Sequence, residues 1–332
     1  MNLPIVGNKK ECWRKLLILC LFAGILYVIR IPYGLVSDDA VIAQTINSQT
    51  LLGNFMDRWQ YNGRIFTDVL ANLFYRMPMI VWKLFDIAIY ILIALLISKI
   101  FTEDSWTDIS IVCVLILMFP GSYLGSAGYI ATTTNYVYPV AGLLGVMYHV
   151  SRVRHRQRVS WWQYLITGVC ILYITNHDQS GMVLIGGLFL YLIYCIVLKE
   201  NKAVIVNTGV WLLFSVACYI FMFTIPGHIY RMASTAEMER WFPQYADWSL
   251  LKKIYHGFST TVANFLFSNV KLFSLIVLLL FVLALSQDVF YKKIIAAVPV
   301  LVLLLSNCVG TGKFIVFFDY SCKMPDLIPL SQ

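Results

Sequence analysis

The strongest chemical signal in the sequence is a pair of adjacent carboxylates, Asp38 and Asp39, which follows an apolar run directly after Ser37. A carboxylate can act as a general base and accept the proton of an attacking hydroxyl. It can also cap a helix, because the first helical turn leaves backbone N–H groups without partners. Residues 40–52 have the spacing of a helix, so the pair predicts a catalytic base, a helix cap, or a single aspartate that serves as both.

Two arginines lie close to the ends of apolar runs. Arg64 follows Gly63 in the stretch RWQYNGR at 58–64, and Arg231 follows the stretch PGHIY at 226–230. A guanidinium group can bind a phosphate through two parallel hydrogen bonds. The same side chain can also extend along the membrane surface to lipid headgroups. Both interpretations of Arg64 and Arg231 remain open at this stage.

A polar tetrapeptide joins two apolar runs by a tight turn and consists of Asn176, His177, Asp178 and Gln179. Ionisable groups at membrane depth are costly and often mark functional sites. A histidine changes charge near neutral pH, so His177 could transfer a proton or serve only as a hydrogen-bonding partner. We predict that these four residues bind substrate.

An uncharged polar segment, residues 129–139, also lies between apolar runs and includes Asn135 and Tyr136. Its amide, hydroxyl and phenol groups could hydrogen-bond a sugar. They could instead satisfy the backbone of a re-entrant loop, since irregular backbone is tolerated in a membrane only with such partners. The composition slightly favours the loop, and Asn135 and Tyr136 are kept as candidate substrate-binding residues.

The sequence contains no recognisable metal or cofactor motif. It lacks the HExxH and GxSxG patterns, and the stretch around Gly310 to Lys313 departs from the phosphate-binding loop. Most cysteines lie in apolar runs, as small buried side chains do. We therefore predict no cofactor and no metal ligand, while leaving a divalent metal open.

Membrane helices must position these groups, because 60% of the 332 residues are hydrophobic and only 13% are charged. Soluble domains carry about 25% charged residues, and a membrane-spanning helix needs about 20 apolar ones. We predict an all-α polytopic membrane helical bundle, a single transmembrane domain over residues 1–332 with about nine spans. The predicted spans are Leu16–Ile31, Met79–Ile100, Ile109–Leu124, Tyr138–Val150, Trp161–Thr175, Met182–Leu198, Ala203–Ile225, Thr261–Leu285 and Ile294–Cys308.

The distribution of basic residues predicts the orientation of the bundle. Cytoplasmic loops are enriched in Lys and Arg, and the densest arginine run lies in the short loop 151–160. This places the N-terminus in the cytoplasm of a bacterial cell and the long loops 33–78 and 226–260 outside the plasma (inner) membrane. Amphipathic surface helices are expected in the first of these loops and over Trp241–Phe258. The net charge of +8 is then explained by orientation, with no nucleic-acid partner.

The order of these features resembles the GT-C superfamily of integral-membrane glycosyltransferases. The similarity rests on a cytoplasmic N-terminus, one span, and a long outer loop that begins with Asp38-Asp39 and holds two surface helices. The run Asp38-Asp39, then Trp59 to Arg64, then Asn135-Tyr136 with Pro139 also resembles uncharacterised bacterial multi-pass proteins near that superfamily, and the likeness covers about residues 10–180. The resembling enzymes have eleven or more spans, so the chain is expected to be either a compact form or a C-terminally truncated one.

The resemblance implies transfer of a sugar (a hexosyl or pentosyl group) from a polyprenyl-phosphate donor to a glycan, lipid or protein acceptor at the outer leaflet of the bilayer. Asp38 or Asp39 would serve as the base, with Asp38 favoured. Two other functions stay open. One is a transporter or flippase of lipid-linked glycans, for which Lys83, Asp86 and Lys271 are the mid-span candidates. The other is a non-catalytic membrane scaffold or inactive enzyme.

Overall fold

A computed structural model describes residues 9–47, 49–119, 121–125, 127–233, 239, 242, 244–249, 251–253, 255–256 and 259. Throughout this part the regular structure is helical, and no strand occurs in it. The chain divides into two compact units, Met1–Arg231 and Met232–Gln332. The two predicted spans after residue 260 lie outside the described residues, as does much of the stretch Trp241–Phe258.

Twelve α-helices are described, and all of them lie in residues 9–233. They are α1 (Lys9–Arg30), α2 (Asp38–Asn47), α3 (Leu51–Tyr61), α4 (Ile65–Tyr75), α5 (Met79–Phe101), α6 (Trp106–Leu117), α7 (Tyr129–Thr132), α8 (Tyr138–Arg154), α9 (Trp161–Thr175), α10 (Asp178–Val197), α11 (Lys202–Thr224) and α12 (Pro226–Ala233). The predicted helix over 40–52 is broken in two, because Thr50 caps α3 by accepting a hydrogen bond from the Gly53 N–H.

Four of these helices, α1, α5, α10 and α11, are long and apolar enough to cross a membrane. The predicted span Ile109–Leu124 is shorter than expected, because α6 ends at Leu117 and a 3₁₀ turn follows at Gly121–Gly125. The helix α9 has only 15 residues. The structure therefore confirms an all-helical protein with several candidate spans, and the count of about nine stays a prediction.

Contacts between loops define two ends of the Met1–Arg231 unit. Lys15 near the start of α1 pairs with Asp104 after α5 at 3.3 Å, and Arg154 at the end of α8 pairs with Glu200 before α11 at 2.8 Å. Lys99 lies 5.9 Å from the ring of Tyr148, which joins the two pairs into one end. We call this the loop end. The helices α2, α3, α4 and α12 gather with the α9–α10 turn at the other end, which we call the site end.

A buried ion pair fixes α1 to α5. The Arg30 Nε atom lies 2.5 Å from an Asp86 carboxylate oxygen, both side chains are at most 2% exposed, and the Arg30 guanidinium lies 4.7 Å from the ring centre of Tyr90. Asp86 was a mid-span candidate for transport, as was Lys83, which donates to the Ile31 carbonyl. Both side chains instead contact the end of α1, so they hold helices together.

Candidate functional site

The two carboxylates of the acidic pair have different surroundings. Asp38 is exposed at the start of α2, whereas Asp39 is fully buried. Asp39 accepts hydrogen bonds from the Tyr75 hydroxyl at 2.6 Å and from the backbone N–H groups of Ile130 and Ala131 at 2.9 and 3.0 Å. Asp39 thus caps α7, a helix that begins 90 residues later in the chain, and its two oxygens are already engaged.

Gly128 gives the carboxylate of Asp39 room to reach this helix end. It has a φ of 101°, in the left-handed region that favours glycine. A Cβ atom at this position would lie within 2.8 Å of all three atoms of the Asp39 carboxyl group. Burial raises the pKa of Asp39, and the hydrogen bonds from Tyr75, Ala131 and Ile130 act against that rise. Asp39 is therefore suited to position a helix and poorly placed to take a proton from substrate.

The segment 129–139 is helical, and the expectation of a re-entrant loop is wrong. A π-helical turn over Thr133–Val137 joins α7 to α8, so helical structure continues from Tyr129 to Arg154. Pro139 lies at the start of α8 and has no N–H to donate to the Asn135 carbonyl. A wider turn accommodates this loss, and π turns of this kind are frequent at functional sites.

The π turn brings Asn135 into contact with Arg64. The Asn135 amide nitrogen donates to the Ala131 carbonyl at 2.8 Å, and its oxygen accepts from Arg64 Nη1 at 3.4 Å. Ala131 is also one of the residues whose N–H binds Asp39. The helical stretch from Tyr129 to Arg154 therefore contacts both Asp39 in α2 and Arg64.

Asn176 has a positioning role. Its side-chain oxygen accepts from the N–H groups of Phe66 and Thr67 at 2.8 and 3.4 Å, and its nitrogen donates to the Gly63 carbonyl at 3.2 Å. The first turn of α4 is thus capped from the α9–α10 turn rather than by its own N-cap residue, Arg64, which forms no side-chain cap. Asn176 therefore holds the turn that carries Arg64, through both its amide oxygen and its amide nitrogen.

Arg231 in α12 also contacts the α9–α10 turn, and we call the polar side chains gathered at this turn the site cluster. It pairs with Asp178 at 2.7 Å and lies 3.4 Å from the Asn62 side-chain oxygen. His228, one turn earlier in α12, lies 3.7 Å from the other oxygen of Asp178. The two arginines predicted from distant loops are therefore both linked to the tight turn between α9 and α10, Arg231 directly through Asp178 and Arg64 through the contact of Asn176 with Gly63.

Two glycines allow the turn between α3 and α4 to pack directly against α12. Gly63 has a φ of 76°, and a Cβ atom there would lie 2.5 Å from the His228 backbone nitrogen. A Cβ atom on Gly227 would lie 2.6 Å from the backbone nitrogens of Asn62 and Gly63. The approach of two backbones explains why Arg64 and Arg231 converge.

His177 lies in the middle of this cluster and is only 3% exposed. Its ring meets the edge of the Tyr136 ring at 5.3 Å, and both ring nitrogens are buried without a hydrogen-bond partner in the described protein. Burial lowers its pKa well below 6.5, and the nearby charges of Arg64 and Arg231 lower it further. His177 is therefore a neutral imidazole that offers one donor and one acceptor. Gln179 follows half-buried in the first turn of α10.

Asp68 also belongs to the site cluster, although the sequence analysis did not predict it as a site residue. It lies in the first turn of α4, accepts a short hydrogen bond from Asn62, and is 3.8 Å from Arg58 Nε. Burial raises its pKa, while Arg58 and Arg64 oppose the rise. Its acidic side chain within the apolar run IFTDVL at 65–70 was the available signal.

A scan against protein-family models and searches of curated proteins and of solved structures gave no match to this chain. Among the described residues, no group of three or more His, Cys, Asp or Glu side chains could hold a metal ion. The geometry of the site end is thus the basis for assigning a function.

Proposed function

We propose that the protein transfers a sugar from a polyprenyl-phosphate donor to a cell-envelope acceptor, in the manner of the GT-C superfamily that its sequence resembles. The observation that carries this proposal is the convergence of Arg64 and Arg231 around the buried His177. A phosphate needs a site with positive charge and several N–H donors, and a guanidinium provides both in one plane.

The balance of charge favours a ligand with a single negative charge. Arg58 lies 3.8 Å from Asp68 and Arg231 lies 2.7 Å from Asp178, so two of the three arginines have an ion-pair partner. Arg64 forms no ion pair within the described part of the chain, and its Nε atom is buried without a hydrogen-bond partner there. A sugar phosphodiester carries one negative charge and would neutralise Arg64.

The proposed reaction is a displacement at the first carbon of the sugar. The acceptor oxygen attacks this carbon, the bond from carbon to phosphate oxygen breaks, and the polyprenyl phosphate leaves with the electron pair. Asp38 receives the proton of the acceptor hydroxyl, and Arg64 and Arg231 stabilise the charge that develops on the departing phosphate. Asp38 is favoured because it is exposed, while Asp39 is engaged in capping α7.

Transport of a lipid-linked glycan is the weaker proposal. It would use ionisable groups within the spans, yet Asp86 is bound to Arg30 and Lys83 contacts a backbone carbonyl. The third candidate, Lys271, lies outside the described residues. Transfer therefore explains more of the described contacts.

Binding of a fluorescent polyprenyl-phosphate sugar, the singly charged phosphodiester, to the purified chain in nanodiscs tests the proposal. We expect Arg64→Lys and Arg231→Lys to weaken binding roughly tenfold or more, because lysine keeps the charge and loses the paired hydrogen bonds. Arg152→Lys at the loop end is the matched control and should bind as the unchanged chain does. Equal affinity in all four proteins would refute a phosphate site at the site end.

A further inference from the structure

Basic side chains gather at the loop end, in or beside the last turns of α5, α8 and α10 and the first turn of α11. They are Lys99, Arg152, Arg154, Arg156, Arg158, Lys199 and Lys202, called here the basic surface. Within the described part of the chain, Arg154 is the one member with an ion-pair partner, which is Glu200 at 2.8 Å. The other charges are therefore open to an anion from outside the chain.

The acidic residues of the neighbouring α5–α6 loop do not neutralise the basic surface. Asp104 pairs with Lys15 at 3.3 Å, and Asp108 accepts from the Ser105 N–H at 3.0 Å in the cap of α6. Glu103 is exposed and forms no ion pair with any described residue. The loop end thus keeps an excess of positive charge.

Two of the cations meet at one aromatic ring. Lys99 Nζ and Arg152 Cζ each lie 5.9 Å from the centre of the Tyr148 ring. Arg152 is held there, because its Nε donates to the Gln157 side chain at 3.0 Å and its Nη2 donates to the Arg158 carbonyl at 2.7 Å. Neighbouring like charges repel each other, and an anion between them removes that repulsion. Lys99 and Arg152 therefore form a preformed position for a phosphate.

Exposed tryptophans surround the same end. Trp161 and Trp162 begin α9, are 64% and 55% exposed, and stack with ring centres 3.7 Å apart. Trp106 begins α6, where the Arg14 guanidinium lies 5.4 Å from its ring centre, and Trp13 is exposed near the start of α1. Every tryptophan that is exposed among the described residues belongs to this group. Because tryptophan is enriched at the level of lipid headgroups, the loop end has the composition of a headgroup layer.

The combination of charge and aromatic surface selects the kind of anion. A free phosphate ion would use the cations and leave the indole rings in water. An anionic phospholipid uses both, since its phosphate can bind ammonium and guanidinium groups while the indoles lie among the glycerol and ester groups. The loop end is therefore complementary to a charged lipid rather than to a soluble anion.

We infer that the loop end is a binding surface for anionic phospholipids, in which the phosphate of one lipid lies between Lys99 and Arg152 beside the Tyr148 ring. Arg156 and Arg158 extend the surface to further headgroups. The surface does not depend on the proposed transferase function, whose residues lie at the site end. It fixes the depth of α5 and α8 in the membrane and favours bilayers that contain anionic lipid.

Competition between two lipids tests the inference. The purified full chain in detergent is incubated with equal amounts of phosphatidylglycerol and phosphatidylcholine with identical acyl chains, then repurified, and the retained lipids are quantified by mass spectrometry. The unchanged chain should retain phosphatidylglycerol preferentially. Lys99→Gln combined with Arg152→Gln should lower the ratio of phosphatidylglycerol to phosphatidylcholine by about tenfold or more, because two basic groups near the headgroup are lost. An unchanged ratio would overturn the inference.

Two control variants separate this surface from general charge and from loop structure. Lys252→Gln combined with Lys253→Gln removes the same charge outside the loop end, from lysines that also lie over aromatic rings, and should keep the ratio. Lys99→Arg combined with Arg152→Lys keeps both charges and should retain the preference. Equal loss in the Lys252 and Lys253 variant would show that net charge, rather than the loop end, selects the lipid.

An excess of inorganic phosphate separates a lipid surface from a site for free phosphate. Phosphatidylglycerol should stay bound to the unchanged chain, because the ion replaces the charge contact and not the contact with the tryptophans. Release of the lipid by inorganic phosphate as complete as in the Lys99 and Arg152 double glutamine variant would contradict a lipid surface.

Discussion

At the scale of single residues, Asp38 and Asp39 are adjacent in the sequence and yet have different surroundings. Asp39 is buried because its carboxylate replaces water on the N–H groups that begin α7. Asp38, one residue earlier in α2, stays exposed. The sequence predicted that the pair is functional and left catalysis and helix capping open as its roles. It could not identify the capped helix, because no local signal links Asp39 to Tyr129.

Replacing each aspartate by asparagine should separate the two roles. Asp38→Asn is expected to reduce transfer by about 100-fold or more, the scale of a lost general base, with normal thermal stability. Asp39→Asn turns an N–H group toward donors, whichever way the amide is oriented, and should cost about 1–3 kcal/mol of stability. Transfer assays and thermal unfolding in detergent measure both effects. Normal transfer in Asp38→Asn would remove Asp38 from the mechanism.

The depressed pKa of His177 predicts how stability depends on pH. The folded protein holds this imidazole neutral, whereas the unfolded chain titrates near 6.5. Stability from this group is therefore complete above that value and is lost as the pH falls below it, because the unfolded state then binds more protons. The thermal midpoint of the natural chain should drop between pH ~8 and pH ~5.5. His177→Gln should show a smaller drop, and an equal drop would contradict a neutral buried His177.

At the scale of helices, the sequence predicted the position of a turn correctly and the backbone conformation of a polar segment incorrectly. The tight turn at 176–177 is where the polar tetrapeptide predicted it, between α9 and α10. The segment 129–139 was expected to be a loop, because its polar composition resembles one. It forms a helix because Asp39 caps its first turn and because a π turn accommodates the missing N–H group of Pro139. Both causes are tertiary or depend on backbone detail, and neither is visible in composition.

The contact between the α3–α4 turn and α12 depends on glycine, so Gly63→Ala should disrupt it. The new methyl group would meet backbone atoms of His228, which cannot move aside as a flexible side chain can, and φ would stay positive. Binding of the polyprenyl-phosphate sugar should weaken at least as much as in Arg64→Lys. Gly209→Ala is the matched control, because its methyl group would have no atom within 4 Å. Equal binding by the two alanine variants would show that the backbone approach is not required.

At the scale of the molecule, composition alone predicted a helical membrane protein, since so few charges cannot cover a soluble surface of this size. Four long apolar helices agree with it. The number of spans was harder to predict, because hydropathy does not fix the length of an apolar helix, and α6 ends at Leu117 after 12 residues. The convergence of Arg64, Asn135, His177 and Arg231 depends on long-range packing, and the sequence predicted the residues without their geometry.

The orientation of the bundle is a prediction for the whole chain, with the loop end in the cytoplasm and the site end outside. It rests on the arginine run of 151–160, because basic residues are retained on the cytoplasmic side. Single cysteines in place of His155 and Tyr61, in a background with all eight native cysteines changed to Ser, test it with a membrane-impermeant maleimide. Tyr61→Cys should be labelled in intact cells, and His155→Cys only after permeabilisation. The reverse pattern would place Arg64 and Arg231 in the cytoplasm, where an outer-leaflet donor cannot reach them.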